Sequence, residues 1–249
     1  LFRLVEDRAV INRMGFNNGG QAAAAARISK RPKGPGIVGI NIGANKDATD
    51  RIADYATGVR AMAPLADYLT VNISSPNTPG LRALQDKAAL DTLLAAVMDA
   101  RGADRTPIFL KVAPDLEPAD IADIADACIT HRIDALIISN TTISRPSLTS
   151  AHAAESGGLS GAPLHDLSLQ RLRDFRQVVG TTLPLIGVGG ISTAEQAYAR
   201  IRAGASLVQI YSAMVYEGPM LARSIHKGLK SLMARDGFTN IAQAVGIDA

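Results

Sequence analysis

Short apolar segments recur along the 249-residue chain with a spacing that predicts parallel β-strands. They lie at residues 37–42, 68–73, 107–112, 135–139, 184–188 and 207–211, and they are rich in Val, Ile and Leu. Their apolar positions are continuous rather than alternating, which is typical of strands buried on both faces. The sequence therefore predicts six buried strands.

Between these strands, the apolar positions follow a helical period. Ile121, Ile124, Ala125 and Cys128 are spaced so that they share one face of a helix. Similar patterns cover residues 52–65, 90–98, 169–179 and 220–233, and residues 192–195 (Ser-Thr-Ala-Glu) match a capping box that begins a further helix. Strands that alternate with helices predict parallel pairing with right-handed crossovers.

Polar or glycine-rich clusters follow all six predicted strands, at residues 43–46, 72–82, 111–115, 139–145, 189–190 and 211–212. A doubly wound sheet concentrates its chemistry at one switch point, whereas a barrel collects it from many strand ends on one rim. We therefore predict an α/β fold of the (β/α)8 TIM-barrel class, with about six of the eight strand–helix units in this chain. Residues 1–249 are expected to form one domain.

Composition narrows the class of protein. A hydrophobic share of 47% is enough to fill a core, and no apolar run approaches the roughly 18 residues of a membrane span. The single cysteine and four scattered histidines predict neither an internal disulfide nor a metal site. A net charge of +3 is too small to indicate nucleic-acid binding.

The densest group of polar side chains follows the second predicted strand, in residues 71–82. Asn72 and Asn77 offer both hydrogen-bond donors and acceptors, which suits a flat molecule with amide-like edges. Ser75 supplies a hydroxyl that is able to move a proton, and two prolines stiffen the loop. This segment is the first candidate for a binding or catalytic site.

Two glycine-rich segments, residues 157–161 and 187–191, are each compatible with a tight turn or with a phosphate site. Phosphate sites of barrels commonly follow the last strands, which favours phosphate binding near Gly189, Gly190, Tyr211 and Ser212. Lys111 stands at the end of an apolar strand, where it either reaches solvent or faces a bound anion or electron-rich ring.

Together these segments resemble the flavin-dependent dihydroorotate dehydrogenases, specifically their class 2, quinone-reducing branch. The matching segments are residues 9–18, 39–43, 71–82, 111–116, 139–142, 157–161, 186–191 and 204–211. They occur in order and run nearly from end to end of the chain.

The resemblance implies that Ser75 is the catalytic base, which takes a proton from C5 of dihydroorotate while a hydride leaves C6 for N5 of FMN. Class 1 relatives carry cysteine at this position. A serine hydroxyl is a poor base without help, so it needs a proton relay, and Thr78 with an ordered water is a candidate.

The resemblance also implies two sets of binding residues. The FMN contacts carry over to Asn41, Asn72, Lys111, Ser139, Gly161, Gly190, Tyr211 and Ser212. The substrate contacts carry over to Asn12, Arg13, Met14, Gly15, Phe16, Asn72, Asn77, Asn140 and Thr141. Ser139 stands where family members often have threonine, and it preserves the hydroxyl.

Members of the family also have an N-terminal region with membrane-associating helices and a quinone tunnel, followed by two further barrel strands. The chain is expected to lack both of these parts. For the full-length protein, the resemblance implies quinone as a partner and a peripheral location on the inner, cytoplasmic membrane.

Three other functions stay open on the sequence. One is a class 1 or dihydropyrimidine dehydrogenase-type flavin enzyme that uses another electron acceptor. The second is a flavin-dependent RNA dihydrouridine synthase, against which the near-neutral charge balance speaks. The third is a non-catalytic phosphate-binding barrel, which would leave Ser75, Asn72 and Asn77 without a function.

Overall fold

The computed structural model describes residues 1–32 and 34–249. Numbered along the chain, the strands are β1 (Phe2–Leu4), β2 (Ala9–Asn12), β3 (Gly39–Ile42), β4 (Tyr68–Asn72), β5 (Ile108–Val112), β6 (Ala135–Ile138), β7 (Gly158–Gly161), β8 (Leu185–Val188) and β9 (Ala205–Gln209). The α-helices are α1 (Gln21–Ile28), α2 (Arg51–Met62), α3 (Lys87–Arg101), α4 (Pro118–Thr130), α5 (His165–Val179), α6 (Ala194–Arg202), α7 (Met214–Glu217) and α8 (Leu221–Arg235).

The six predicted strands are confirmed and form one sheet, but the prediction that all six are buried is wrong for the edge strands, since Asn41 of β3 and Leu207 of β9 are exposed. Their order is β3-β4-β5-β6-β8-β9, and every neighbouring pair is parallel. Within the described residues this sheet is open, with β3 and β9 as its edges. β9 begins and ends two residues earlier than predicted, so Tyr211 and Ser212 lie beyond its carboxyl end.

Burial on both faces explains the continuous apolar runs. In β6, Leu136 and Ile138 belong to the main core between the sheet and its helices. Ala135 and Ile137, which alternate with them, pack with Ile186 on the opposite face of the sheet. We call this opposite face the inner face.

Helices cover the outer face of the sheet. α2 packs against α3, α3 against α4, and α4 against α5. The predicted apolar face of α4 is confirmed, since Ile121, Ile124, Ala125 and Cys128 are all buried in the main core. Among the described residues, none of the helices is both long enough and apolar enough to cross a bilayer.

The predicted cap at residues 192–195 is wrong by one residue. The structure begins α6 at Ala194, and the hydroxyl of Thr193 accepts a hydrogen bond from the Gln196 amide. Ser192 instead donates its backbone N–H and its hydroxyl to the Gln196 side chain. Gln196, rather than Glu195, is therefore the residue that reaches back to the start of the helix.

A second, antiparallel sheet was not predicted. β2 lies between β1 and β7, and it pairs Ala9 with Gly161 and Asn12 with Gly158. Residues 157–161 were expected to form a glycine-rich loop, and β7 contains no β-branched residue that would have marked it as a strand. A hydrogen bond of 2.7 Å from the Ser212 hydroxyl to the Ser160 hydroxyl places this small sheet at the carboxyl end of β9.

Candidate active site

Strand register brings three predicted cofactor residues together on the inner face. Side chains of a strand alternate between faces, so Lys111 shares the inner face with Phe109, two residues before it. Asn72 is the register partner of Lys111 in the neighbouring strand. The amide of Asn72 in turn donates to the Asn41 side chain at 3.1 Å. One polar side chain from each of β3, β4 and β5 therefore lies at the carboxyl end of the sheet.

A chain of hydrogen bonds continues this polar layer to the end of β6. The Asn140 amide donates to the Ser74 hydroxyl at 2.8 Å, and that hydroxyl donates to Asn72 Oδ1 at 2.7 Å. Asn72 and Ser74 are buried, so the low-dielectric surroundings strengthen these bonds. The network fixes the orientation of the amide groups before any ligand arrives.

The strand ends surround a cavity of about 640 Å³. Its volume lies within the range of roughly 300–1,000 Å³ that is usual for small-molecule sites. Its lining includes many of the residues that the resemblance selected: Asn12, Met14, Gly15, Lys111, Ser139, Asn140, Thr141, Gly161, Gly190, Tyr211 and Ser212. Strands β1, β2, β5, β7, β8 and β9 contribute residues to this cavity, and residues 139–141 contribute from the loop after β6.

Lys111 is the main positive group in the cavity wall near the sheet. Its side chain is half-buried, and burial lowers the pKa of Lys111 to about 8. Among the described residues, no hydrogen bond or salt bridge engages its Nζ atom. The ammonium group is therefore held at the cavity without a protein anion to compensate its charge.

Thr141 presents a second unsatisfied group. Its Oγ1 atom is buried and has no hydrogen-bond partner among the described residues. The residue lines the cavity, and its hydroxyl lies against the Cα position of Gly158, where a side chain would clash. Buried hydroxyls without a partner are costly, so a ligand that satisfied Thr141 would gain that energy.

Backbone rather than side chain forms the wall at Gly190 and Gly161. Gly190 has φ +65°, and a Cβ there would lie 2.5 Å from the Cα of His165. Gly161 has φ +98°, and a Cβ there would clash with the carbonyl of Arg8. Glycine at both positions lets main-chain groups approach a bound anion closely.

A buried arginine that was not predicted from the sequence stabilises the glycine turn at residues 189–190. Arg200 of α6 is fully buried, and its Nη2 donates to the carbonyls of Gly189 and His165 at 2.7 and 2.8 Å. Burial lowers the pKa of Arg200 to about 10. A charged residue on the apolar side of a helix was the available signal.

Ser75 lies beside the cavity rather than in its wall. Its side chain is 6% exposed, and its hydroxyl accepts a hydrogen bond of 3.2 Å from the Asn77 backbone N–H. Asn77 Nδ2 donates to Asn12 Oδ1 at 2.9 Å, and Asn12 lines the cavity. The structure therefore connects Ser75 to the site through one neighbouring residue.

Several predicted residues are not in the cavity wall. Among the described residues, the lining leaves out Arg13, Phe16, Asn41, Asn72, Ser75 and Asn77. Arg13 forms a salt bridge of 2.9 Å with Glu155 and lies over the ring of Phe2. Phe16 packs against Gly43 and the main core. The structure thus directs the Arg13 and Phe16 side chains away from the position expected for substrate contacts.

Comparisons with known proteins agree with this geometry. The family model described as dihydroorotate dehydrogenase matches residues 1–233. The chain belongs to the dihydroorotate dehydrogenase family. It is 66% identical to the dihydroorotate dehydrogenase (quinone) of Novosphingobium aromaticivorans, over 99% of this chain and 72% of the relative. It is also 66% identical to the enzyme of the same name from Sphingopyxis alaskensis, over 100% of this chain and 71% of the relative.

Solved structures of dihydroorotate dehydrogenases have the same fold. A ligand-free form from Eimeria tenella has a TM-score of 0.94 and 38% identity, and the match covers 99% of this chain and 76% of that chain. The complex of that enzyme with ferulenol has a TM-score of 0.95 and 36% identity, with 99% and 73% covered. The predicted barrel class and the prediction of an oxidoreductase of the class 2 branch are confirmed.

The lowered pKa of Lys111 predicts a pH dependence of stability. Its folded pKa of about 8 is below the usual lysine pKa of 10.5, so between these values the unfolded chain holds a proton that the folded chain has released. Stability therefore rises with pH in this window, by at most about 1.4 kcal/mol per pH unit. We expect the unfolding free energy of wild type minus that of Lys111→Met to increase from pH 7.5 to pH 10. Urea denaturation of both proteins across this range measures the difference.

Lys87→Met is the control for this measurement. Lys87 is exposed, and its hydrogen bond to Asp123 raises its pKa, so its contribution to stability is lost rather than gained as pH rises. A difference for Lys111→Met that stays flat or falls with pH would contradict the assignment of a desolvated ammonium at the cavity.

Proposed function

We propose that this chain oxidises (S)-dihydroorotate to orotate in pyrimidine biosynthesis, with FMN as hydride acceptor and a quinone as final electron acceptor. The observation that carries the proposal is the uncompensated Lys111 ammonium, held at the carboxyl ends of the parallel strands. A reduced flavin gains negative charge, and a fixed cation stabilises that state. Family membership and the names of the relatives support the same conclusion.

The cavity has features suited to FMN. Gly190 and Gly161 line the cavity with main-chain groups that are available to a phosphate, and the Ser212 hydroxyl lies in the same wall, where it donates to Ser160. Lys111, Ser139, Asn72 and Asn41 lie along the strand ends, where they would hold an isoalloxazine ring, and Tyr211 completes the predicted set. FMN, when bound, accepts a hydride from C6 of dihydroorotate and passes the electrons on to the quinone.

We propose Asn12, Asn77, Asn140 and Thr141 as the main substrate contacts, with Met14 and Gly15 in the same wall. Asparagine amides match the amide-like edges of a planar pyrimidine. The unpaired Thr141 hydroxyl gives one more hydrogen-bonding group on the same side. Phe16 and Arg13 stay in the proposed set as residues whose side chains would have to turn toward the ligand.

We propose Ser75 as the catalytic base that accepts the C5 proton. The Asn77 backbone N–H donates to its hydroxyl, which fixes the position of the oxygen and leaves its second lone pair for a proton. A serine hydroxyl has little intrinsic basicity, so the proton has to move onward to another group. Thr78 is the candidate for this relay, because it lies in the same loop and is also buried. Burial of Ser75 also excludes bulk water from the reacting atoms.

Quinone as the final acceptor is supported by the names of the relatives, which are quinone enzymes. We propose that the full-length protein meets the quinone at the inner, cytoplasmic membrane surface, through a region N-terminal to these residues. We expect the full-length enzyme to oxidise dihydroorotate faster with a ubiquinone analogue than with fumarate or NAD⁺ in steady-state assays. Faster turnover with fumarate would favour a class 1 mechanism instead.

The glycine turn predicts a specific loss of FMN. Gly190→Ala places a methyl group against His165, so we expect the purified full-length protein to retain much less FMN than wild type, measured by flavin absorption. Gly180→Ala is a matched control, because Gly180 also has a positive φ, of +56°, but has no atom within 4 Å of the added Cβ. Equal FMN loss in both variants would show that backbone strain alone is responsible.

The proposed base predicts a loss of rate without a loss of binding. We expect Ser75→Ala to slow flavin reduction by dihydroorotate by about 10²- to 10⁴-fold in stopped-flow measurements, with orotate affinity nearly unchanged. Ser74→Ala is the comparison, because the Ser74 hydroxyl links Asn140 to Asn72 and its removal should mainly weaken orotate binding. Wild-type reduction kinetics in Ser75→Ala would refute the role of Ser75 as base.

A further inference from the structure

Three consecutive strand-end loops meet at one arginine. Arg82 lies on the short 3₁₀ helix Leu81–Gln85, directly after the loop that carries Ser75. Its Nε donates to the Ser74 carbonyl at 3.1 Å, its Nη1 to Asp115 Oδ2 at 2.8 Å, and its Nη2 to the Thr141 carbonyl at 2.9 Å. All three nitrogens of the guanidinium group are thus used, each on a different loop.

Asp115, the salt-bridge partner of Arg82, makes further hydrogen bonds between these loops. One of its oxygens accepts from the hydroxyls of Thr142 and Ser144, and the other accepts from the Ile143 N–H at 3.1 Å as well as from Arg82. Burial alone would raise the pKa of Asp115, but the hydrogen bonds from Thr142, Ile143 and Arg82 together lower it. The carboxylate is therefore ionised and fully engaged, and it ties the loop after β6 to the loop after β5.

The salt bridge between Arg82 and Asp115 is shielded from solvent, unlike most surface ion pairs. The Arg82 and Asp115 side chains are only 21% and 15% exposed. A charged pair in such surroundings has a defined geometry, since its groups lose more by separating than exposed charges do. Gln85 of the same 3₁₀ helix adds a bond of 2.8 Å from the Ala113 N–H. The helix therefore anchors the loops after β4, β5 and β6 relative to one another.

The two carbonyls that accept hydrogen bonds from Arg82 lie next to the proposed base and in a proposed substrate contact. The Ser74 carbonyl is in the peptide bond that leads into Ser75, and the Thr141 carbonyl belongs to a proposed substrate contact. Pro76, the residue after Ser75, also lies close to Gly158 beside Thr141. A shift of Arg82 would therefore change the position of Ser75 relative to the substrate side of the cavity.

We propose that Arg82, paired with Asp115, is a positioning residue that sets the place of the Ser75 hydroxyl relative to Asn140 and Thr141. It does not line the cavity and acts through the Ser74 and Thr141 carbonyls. This inference rests on the proposed role of Ser75. A misplacement of about 1 Å at a reacting group is enough to cost on the order of 10²-fold in rate.

A double-mutant cycle tests the inference in the full-length protein. Flavin reduction by dihydroorotate is measured by stopped flow for wild type, Arg82→Gln, Ser75→Ala and the double variant. We expect Arg82→Gln to slow reduction by about 10- to 100-fold when Ser75 is present, and by less than about 3-fold when it is absent. A role in general stability would slow both backgrounds equally, and that result would overturn the inference.

Arg101→Gln is the matched control. The Arg101 side chain has the same exposure as Arg82, 21%, and it forms a salt bridge of 3.2 Å with Asp134, close to the amino end of β5. We expect it to leave the rate of flavin reduction unchanged while changing the unfolding free energy. Equal loss of rate in Arg101→Gln would also count against a positioning role for Arg82.

Two further measurements separate the possible failures. If Arg82→Gln does not fold, the cycle is repeated with Arg82→Lys, whose single ammonium keeps the charge near Asp115 but cannot reach both carbonyls at once. We expect the backbone amides of residues 73–78 and 141–145 to exchange hydrogen faster in Arg82→Gln or Arg82→Lys than in wild type. Unchanged exchange in these segments would overturn the inference. A wild-type rate of flavin reduction in Ser75→Ala would refute the role of Ser75 as base. If Ser75→Ala is slow but Arg82→Gln slows reduction equally with and without Ser75, only the positioning role of Arg82 is refuted.

Discussion

The site depends on the parallel pairing of six strands. Because all six run in the same direction, their carboxyl ends lie at one edge of the sheet, and residues placed there on neighbouring strands come within reach of one another. The register then decides which side chains are neighbours, as the pairing of Asn72 with Lys111 shows. The apolar residues that precede these positions pack on both faces of the sheet, and most of the polar residues lie toward the carboxyl ends of the strands.

Two kinds of polar group meet at that edge. Asn41, Asn72, Ser74 and Asn140 satisfy one another, so the protein stabilises their orientation without a ligand. Lys111 and the hydroxyl of Thr141 have no protein partner among the described residues. The first group supplies a rigid frame, and the second supplies groups that would gain free energy by meeting a ligand.

Order around the cavity also comes from outside its wall. The small antiparallel sheet brings β2 and β7 to the carboxyl end of β9, Arg200 holds the carbonyl of Gly189, and Arg82 joins three loops. The two arginines do not line the cavity; they bond to carbonyls, and Arg82 also to the Asp115 carboxylate, so they add order without occupying the space of a ligand. This supporting layer explains how loops of polar sequence keep a defined shape.

The sequence by itself determined the six parallel strands, most of the helices and the position of the candidate site. A strand buried on both faces must be continuously apolar, and the polar residues that end it mark the functional edge, so both signals are local. The assignments of Lys111, Gly190 and Thr141 to that edge followed from this pattern and the family resemblance. Only the tertiary structure decided the pairing of β7 with β2, the cap at Thr193, the salt bridge of Arg13 with Glu155, and the packing of Phe16 against the main core. Two of the three partners of Arg82 are 33 and 59 residues away in the chain, and no local pattern of apolar or polar residues encodes contacts over such separations.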